Sequence, residues 1–424
     1  MTGHERGPAA DVDVNEAVAQ AHRREWARVL AATVRVVRDL DLAEECAQDA
    51  YARALRTWST TGVPDRPGAW LTTVARNRAK DLLRRESVLR SALPSLVVDD
   101  VVAGPDDHAD PPVVDDDRLR LIFTCCHPAL SRDAQVALTL RLVCGLSTAE
   151  VARAFLVQES AMAARITRAK KKISAARIPY RVPARTDLPE RVSAVLDVVH
   201  LVFTTGYTAP AGAQLVRQYL VDGAIHLART LYQLLPGDGQ VAGLLALMLL
   251  TDARRNTRLS GTGELVLLAD QDRTRWDTRL IAEGTALVAR SLGQAQTGYG
   301  VQAAIAAVHA EAATWEDTDW TEIVGLYDVL RRLWPSPVVE LNRAVAIGFR
   351  DGPQAGLDAL APLLDEPALA TYGYLSATRA DFLRRLRRRQ EATAAYEEAL
   401  AMTDNQVERA FLAGRLEEVR THSA

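Results

Sequence analysis

The sequence predicts an all-α protein, and three observations lead to that prediction. Ala, Leu, Arg and Val dominate the 424 residues, whereas aromatic residues make up only 5 %, a composition that favours helices over strands. Apolar residues recur at helical spacing through most of the chain. Clear helix-start signals also occur, the best of which is Ser147 with Glu150, a capping box.

Length, hydropathy and cysteine content limit the class of protein. A chain of 424 residues is long enough for two or three domains with sizeable cores. It has no apolar run long enough to span a bilayer, and residues 1–13, which we expect to be disordered, lack a signal-peptide core. Four cysteines in so long a chain do not form a disulfide framework. We therefore expect a cytoplasmic protein without a membrane partner.

The first segment, residues 14–90, is predicted to be a helical domain. A first helix over residues 14–39 carries apolar positions such as Val18 and Trp26, and a second helix follows. An acidic helical face is either a solvated surface or a docking surface for a basic partner helix, and both interpretations remain open. The acidic and polar side chains on this face of the second helix are Asp41, Glu44, Glu45, Gln48 and Asp49.

A basic helix follows the loop at residues 62–68, which Pro and Gly residues interrupt. Trp58 and Trp70 bracket this loop. Basic side chains near aromatic rings suit single-stranded DNA, whose bases stack and whose phosphates need cations, although Trp is more often a core residue. Arg78 falls on the apolar face, where we expect it to snorkel or to pair with an acid. The polar face carries Arg76, Asn77, Lys80 and Arg84, and Arg85 follows on the same helix.

An acidic linker, residues 91–117, separates this domain from the next. Residues 99–117 contain eight aspartates and no Lys or Arg, and several Pro and Gly residues interrupt the segment. It is predicted to be a disordered, solvated tether, a segment that occupies a path made for nucleic acid in a partner, or a segment that shields the basic patch that follows it.

Residues 118–181 are predicted to hold a helix-turn-helix. Residues 146–181 contain eight basic and two acidic residues in a chain whose net charge is −3, and such a patch attracts phosphates. The capped helix precedes a second, amphipathic helix, a pattern typical of a motif whose second helix enters the major groove. A basic surface helix is the alternative. The polar face of the second helix carries Ser160, Ala164, Thr167, Arg168 and Lys171, and Arg165 belongs to the run of basic residues on the same helix.

Cys125, Cys126 and His127 suggest a zinc site, but the spacing argues against it. Adjacent residues on a helix point about 100° apart and chelate one ion poorly, and no CxxC pair follows. We interpret both cysteines as small buried apolar residues, and the sequence indicates neither a metal nor a cofactor.

The remaining residues, 182–424, read as helical throughout. Near the end, Gln354, Ala355, Leu360 and Leu364 match residues 36 positions later, and Ala344 matches Ala380 at the same offset. Such a period is typical of stacked helical hairpins that form a groove for a protein partner or a small ligand. Asp270 and Asp272, with distant histidines, could serve acid–base chemistry or bind a metal. The interpretation that we favour is salt bridges, with Trp276 as an anchor between helices.

The ordered set DLAEECAQDAYARAL, AWLTTVARNRAKDLLRRE and the helix-turn-helix resembles the extracytoplasmic-function (ECF) sigma factors of bacterial RNA polymerase. The resemblance implies that residues 14–90 are sigma region 2 and residues 118–181 are sigma region 4. It also implies that the acidic face docks on the β′ coiled coil of the polymerase, next to β. The basic helix with Trp70 would then open the −10 element, and the helix-turn-helix would read the −35 element. Residues 182–424 resemble the tetratricopeptide-like extension of one ECF subgroup.

The function expected from this resemblance is promoter-specific initiation of transcription, regulated by the chain's own C-terminal helices; the protein itself would not be an enzyme. The alternative is a stand-alone helix-turn-helix regulator whose repeats sense a ligand or a protein. The motif departs from the ECF pattern at Leu156, where a turn Gly is common, and at Gln158, where a capping Ser is usual.

Overall fold

The structure is a computed structural model that describes residues 14–92, 117–155 and 157–421, the side chains of 86–92 excepted. The predicted disordered segment at residues 1–13, nearly all of the acidic linker and the turn residue Leu156 lie outside the described residues. The chain divides into two compact units, Met1–Val198 and Val199–Ala424. No helix in the described part is both long and apolar enough to cross a membrane.

The first unit is built from α-helices in its described residues. A π-helical segment, Thr139–Val143, continues α5, and α8 runs across the boundary between the two units. The helices are α1 (Val14–Val37), α2 (Leu40–Thr61), α3 (Pro67–Ala92), α4 (Asp117–Cys125), α5 (Arg132–Leu138), α6 (Thr148–Ala154), α7 (Glu159–Ala175) and α8 (Leu188–Tyr207).

Local sequence signals set where these helices begin. The Asp39 side chain accepts a hydrogen bond from the Leu42 N–H at 2.7 Å and so caps α2. Proline opens α3 at Pro67, where its missing N–H costs nothing. The capping box predicted for Ser147 and Glu150 is present at the start of α6, and it is confirmed in both directions.

The first unit has one core rather than two. Helix α1 packs against α2 and α3, and it also packs against α4 and the π-helical segment. Trp26 and Leu30 of α1 are buried, as are Leu121 of α4 and Leu142 of the π-helical segment. The segments before and after the linker therefore pack against each other, because α1 supplies apolar surface to both.

The second unit consists of ten further helices in its described residues, each packed against the next. A two-residue strand, β1 (Ala211–Gly212), pairs in parallel with β2 (Asp404–Asn405). The helices are α9 (Gln218–Leu234), α10 (Gly239–Asp252), α11 (Thr278–Gln294), α12 (Gly298–Glu311), α13 (Trp320–Leu333), α14 (Pro337–Arg350), α15 (Pro353–Leu360), α16 (Gly373–Arg385), α17 (Arg389–Ala401) and α18 (Gln406–Thr421). The predicted all-α class is confirmed.

The 36-residue period corresponds to a structural repeat. Helix α16 begins 36 residues after α14, and α17 begins 36 residues after α15. The matched pair Ala344 and Ala380 is buried in both copies, as is the pair Leu360 and Tyr396. Each repeat is thus a helical hairpin that buries equivalent positions; its likeness to tetratricopeptide repeats stays a prediction.

The end of the second unit is tied to its beginning. The Asn405 side chain is fully buried and donates to the Ala209 carbonyl at 2.9 Å and to the Gln214 carbonyl at 3.0 Å. Together with the β1–β2 pair, these bonds hold the last hairpin against the segment that precedes α9, so the row of helices closes on itself.

Candidate nucleic-acid and polymerase interfaces

Helix α3 presents its predicted basic face to solvent. Leu71, Ala75 and Ala79 anchor the opposite face in the core. The side chains predicted to contact DNA on this helix are exposed: Arg76, Asn77, Lys80, Arg84 and Arg85. Such a row of cations at helical spacing forms a surface that a phosphate backbone can follow.

The two tryptophans around the loop before α3 have different roles. Trp58 is 2 % exposed and belongs to the core, whereas Trp70 is half-buried. Their ring centroids lie 5.6 Å apart in an edge-on arrangement, the geometry that aromatic pairs prefer. Trp58 therefore supports Trp70, and Trp70 is the ring of this pair that reaches the surface beside the basic face.

Arg78 pairs with an acid, which is one of the two outcomes expected for it. Its Nε donates to the Asp49 carboxylate at 3.0 Å, which joins α3 to α2. Asp49 was predicted to face a polymerase, and this ion pair already uses one of its oxygens. Both side chains are partly exposed, so the pair contributes about 0–1 kcal/mol.

Helices α6 and α7 form the predicted helix-turn-helix. Gln158 is the N-cap of α7 and makes no side-chain cap hydrogen bond, as its departure from the usual Ser suggested. Met162, Ile166 and Ile173 are buried along one face. The opposite face is exposed at the predicted DNA-contacting residues Ser160, Ala164, Thr167, Arg168 and Lys171.

Arg165 differs from the other predicted contacts on α7 because the first unit already holds it. The guanidinium is half-buried, pairs with Asp133 at 3.2 Å and lies 5.3 Å from the centre of the Phe155 ring. These contacts fix its position at the edge of the exposed face.

The acidic face of α2 is engaged by two basic residues. Lys170 of α7 turns inward, and its Nζ lies 2.7 Å from both the Asp41 and the Glu44 carboxylates. Arg141 of the π-helical segment also pairs with Glu44. Burial lowers the pKa of Lys170, but the charge of Glu44 and the hydrogen bonds that Lys170 donates to both carboxylates outweigh burial, so the pKa of Lys170 is raised.

The predicted docking surface needs one correction, because Glu44 is buried. We expected five exposed side chains there, but Glu44 is only 7 % exposed. It is buried because the α7 lysine and Arg141 close over it. Asp41, Glu45, Gln48 and Asp49 are exposed, as predicted.

A second set of contacts joins the same parts of the unit. The Trp26 indole N–H donates to the Leu142 carbonyl at 3.1 Å. Gly145, at φ +73°, faces this ring so closely that an added Cβ would lie 3.0 Å from it. Burial, and then the charge of Arg141, lowers the pKa of His22, whose ring centroid lies 4.8 Å from that of Trp26 in a tilted arrangement. On the far side, the Tyr180 hydroxyl lies 3.0 Å from the Ala31 carbonyl.

Lys170, Arg141 and Trp26 were not among the predicted site residues, although the sequence carries a signal for the Lys170–Glu44 pair. Lys170 follows Ala169 within the apolar stripe of α7, and Glu44 lies between Ala43 and Ala47 in the apolar stripe of α2. Opposite charges inside two apolar stripes indicate that the stripes face each other, since a buried charge needs a partner.

The cysteines are buried, as predicted. Cys125 and Cys126 are fully buried, and burial raises the pKa of Cys126 to about 11. No group of three or more His, Cys, Asp or Glu side chains with metal-binding geometry exists among the described residues.

The Asp270–Asp277 segment is structural. The Trp276 indole N–H donates to Thr257 at 3.0 Å, and the ring is 6 % exposed, which confirms it as an anchor. The Asp272 and Asp277 carboxylates accept hydrogen bonds from backbone N–H groups instead of forming the predicted salt bridges.

Three family models match the chain. The sigma-70 region 2 model matches residues 21–88, and the sigma-70 region 4 model matches residues 120–173. A family of unknown function, DUF6596, matches residues 191–292. No solved structure matches the chain.

One relative matches nearly the whole chain, whereas others match about a third of it. An uncharacterized protein of Rhizobium meliloti (strain 1021) is 43 % identical over 401 residues, which are 94 % of each chain. The ECF RNA polymerase sigma factor SigK of Mycobacterium sp. (strain KMS) is 35 % identical over 147 residues, 34 % of this chain and 72 % of the relative. The same values hold for SigK of strain JLS. With both sigma regions matched in order and most of a sigma factor covered, the chain belongs to the sigma-70 family of RNA polymerase sigma factors, whose members bind core RNA polymerase and promoter DNA.

Proposed function

We propose that this chain directs RNA polymerase to particular promoters through three surfaces of its first unit. The exposed acids of α2 bind the β′ coiled coil of core polymerase. The basic face of α3, with Trp70, holds the unpaired −10 element, where stacking and phosphate contacts are both needed. The exposed face of α7 reads the −35 element in the major groove.

The observation that carries this proposal is the ion-pair cluster at Asp41 and Glu44. Both acids hold Lys170, which comes from a basic helix. The acidic face of α2 thus has the charge and shape to bind a basic helical element, as docking on a coiled coil of the polymerase requires.

In the closed form of the first unit, Lys170 and Arg141 pair with the acids of α2. Core polymerase and these internal cations therefore compete for the same carboxylates. Lys170 and Arg141 must leave Glu44 before a polymerase helix can use it. We infer that the closed first unit is the polymerase-free form, and that core polymerase replaces the internal cations with its own.

We further propose that the second unit regulates this step. The Rhizobium meliloti relative aligns over 94 % of the chain, so its similarity extends through both the sigma regions and the helical extension. Truncation after Arg181 is therefore expected to change the rate or the promoter choice of initiation. Unaltered initiation by the truncated chain would contradict this part of the proposal.

Core binding by the full chain tests the docking surface. Glu45 is exposed on α2 next to the ion-pair cluster, so Glu45→Arg should strongly weaken capture of core polymerase and abolish run-off transcripts. Glu16→Arg, an equal charge change on an exposed site of α1, should leave both unchanged. If the two variants capture core equally well, α2 is not the docking surface. Duplex DNA binding without any support of initiation would instead favour a stand-alone regulator.

A further inference from the structure

The second unit contains a cavity of about 460 Å³ between α10, α12 and the α13–α14 hairpin. Its walls are mainly apolar and aromatic, with Leu250, Ile305, Trp276 and Trp334 among the lining residues. A cavity of this size and character matches the usual form of a small-molecule site.

The charge of the lining has one sign. Among the described residues that line the cavity, none is Asp or Glu, whereas Arg254, His200 and His309 all line it. A second cavity in the same unit, of about 640 Å³, is lined by Asp381, Asp404 and Glu408 as well as Arg415. The absence of carboxylates from the first cavity is therefore a local property and not one of the unit as a whole.

A hydrogen bond holds the Arg254 side chain in place, but no acid among the described residues neutralises its charge. Its Nε donates to the Tyr207 hydroxyl at 3.2 Å, and that hydroxyl in turn donates to the Thr251 carbonyl at 2.9 Å. In the part of the chain that the structure describes, its two terminal nitrogens have neither a hydrogen-bond partner nor an ion-pair partner. A half-buried guanidinium with unused donors suits a carboxylate, which it can bind through two hydrogen bonds.

Two groups next to Arg254, Arg273 and His309, add no negative charge to the cavity. The Arg273 guanidinium donates hydrogen bonds to the His309 and Ala312 carbonyls, at 2.6 and 2.7 Å. Burial, together with the charges of Arg254 and Arg273, lowers the pKa of His309 to about 4, and its buried Nδ1 has no partner among the described residues. The lining therefore offers the positive charge of Arg254 and, at His309, a neutral imidazole.

We propose that this cavity binds a small organic monoanion, namely a carboxylate with an apolar or aromatic body, and that Arg254 binds its charged group. The aromatic walls take the body of the ligand, and the His309 ring nitrogen lies on the same lining as Arg254. The proposal concerns residues 199–424 alone and does not rest on the proposed function in transcription.

A matched pair of probes tests this site in the full-length chain. 4-Phenylbutyrate and 4-phenylbutyramide share one body and differ in charge, and isothermal titration calorimetry measures the affinity of each. We expect the acid to bind at least about tenfold more tightly than the amide, because a charge-assisted pair forms only with the acid. Equal binding of both probes, or no binding of either up to about 10 mM, would overturn the proposal.

Two variants locate the effect. Arg254→Gln should remove the preference for the acid while leaving amide binding unchanged. Arg279→Gln, at an exposed position of α11, should keep the preference. If Arg279→Gln abolishes it as well, the discrimination comes from the general field of the unit and the assignment to this cavity is wrong. Should Arg254→Gln not fold, the acid–amide comparison on the wild-type chain still decides the outcome.

Discussion

Helices α3 and α7 both carry rows of basic side chains, yet the two helices use them differently. The predicted DNA-contacting residues of α3 are all exposed apart from the half-buried Trp70. Helix α7 exposes Arg168 and Lys171, but it commits Lys170 to Asp41 and Glu44. A basic helix can thus serve two surfaces at once, and the residue that closes the first unit is adjacent in sequence to one proposed to contact DNA.

The largest expected effect comes from α3. Arg76→Ala with Lys80→Ala should lower promoter affinity of the holoenzyme by about 30-fold or more, since each lost contact costs about 1–3 kcal/mol. Both side chains are exposed, so the melting temperature of the protein should not change. Binding to a single-stranded −10 oligonucleotide checks this. Arg56→Ala, an exposed arginine on α2, is the control and should bind as wild type does.

The next effect separates Lys170 from Lys171. Lys170→Gln leaves the buried Glu44 with only Arg141, and breaking a buried pair costs about 3–5 kcal/mol. Because Arg141 remains, we expect the lower end, which corresponds to roughly 100-fold faster hydrogen exchange in α7. Mass spectrometry of the peptide covering residues 159–175 measures it. The exposed Lys171→Gln should exchange as wild type does, and equal exchange in both variants would show that Lys170 does not hold α7.

Lys170→Gln and Lys171→Gln should also behave differently in two binding assays, one with core polymerase and one with duplex promoter DNA. Lys170→Gln should bind core polymerase more tightly, because a competitor for Glu44 has been removed. Lys171→Gln should bind core normally but duplex promoter DNA more weakly. Tighter core binding by both, or by neither, would mean that the closed form does not compete with the polymerase.

A smaller contrast lies within α7 itself. Arg168→Ala should reduce the salt dependence of duplex binding by about one counterion. Arg165→Ala should reduce it less, because Asp133 already neutralises that guanidinium at 3.2 Å. Titrations at several salt concentrations measure both slopes; a larger change for Arg165 would show that its ion pair breaks when DNA binds.

The smallest expected effect is at Arg78. Its pair with Asp49 is partly exposed, so Arg78→Ala should lower the free energy of unfolding by no more than about 1 kcal/mol. Thermal denaturation checks this, and a larger loss would indicate a structural role that the pair does not explain.

Features encoded by neighbouring residues were predictable from the sequence. The Ser147–Glu150 capping box needs only two residues three positions apart, and the exposed faces of α3 and α7 follow from helical periodicity. The 36-residue offset between Ala344 and Ala380 likewise marks two hairpins that bury the same position.

Features that depend on distant residues were not predictable in the same way. Lys170 and Glu44 are 126 positions apart, and each looked like part of a solvated face. In the fold, the ion pair between Lys170 of α7 and Glu44 of α2 brings the two charges within 2.7 Å of each other. The cavity around Arg254 is a similar case, since Tyr207 and His309, which define its chemistry, lie on different helices far apart in sequence.

The most direct test of the account is the distance between α2 and α7 in the full-length chain, with and without core polymerase. Spin labels at the exposed positions Arg53 and Ser174, introduced as unnatural amino acids and measured by double electron–electron resonance, report it. The account predicts one short, narrow distance in the free chain and a clearly longer one once core polymerase is bound. An unchanged short distance in a holoenzyme that still initiates transcription would contradict it.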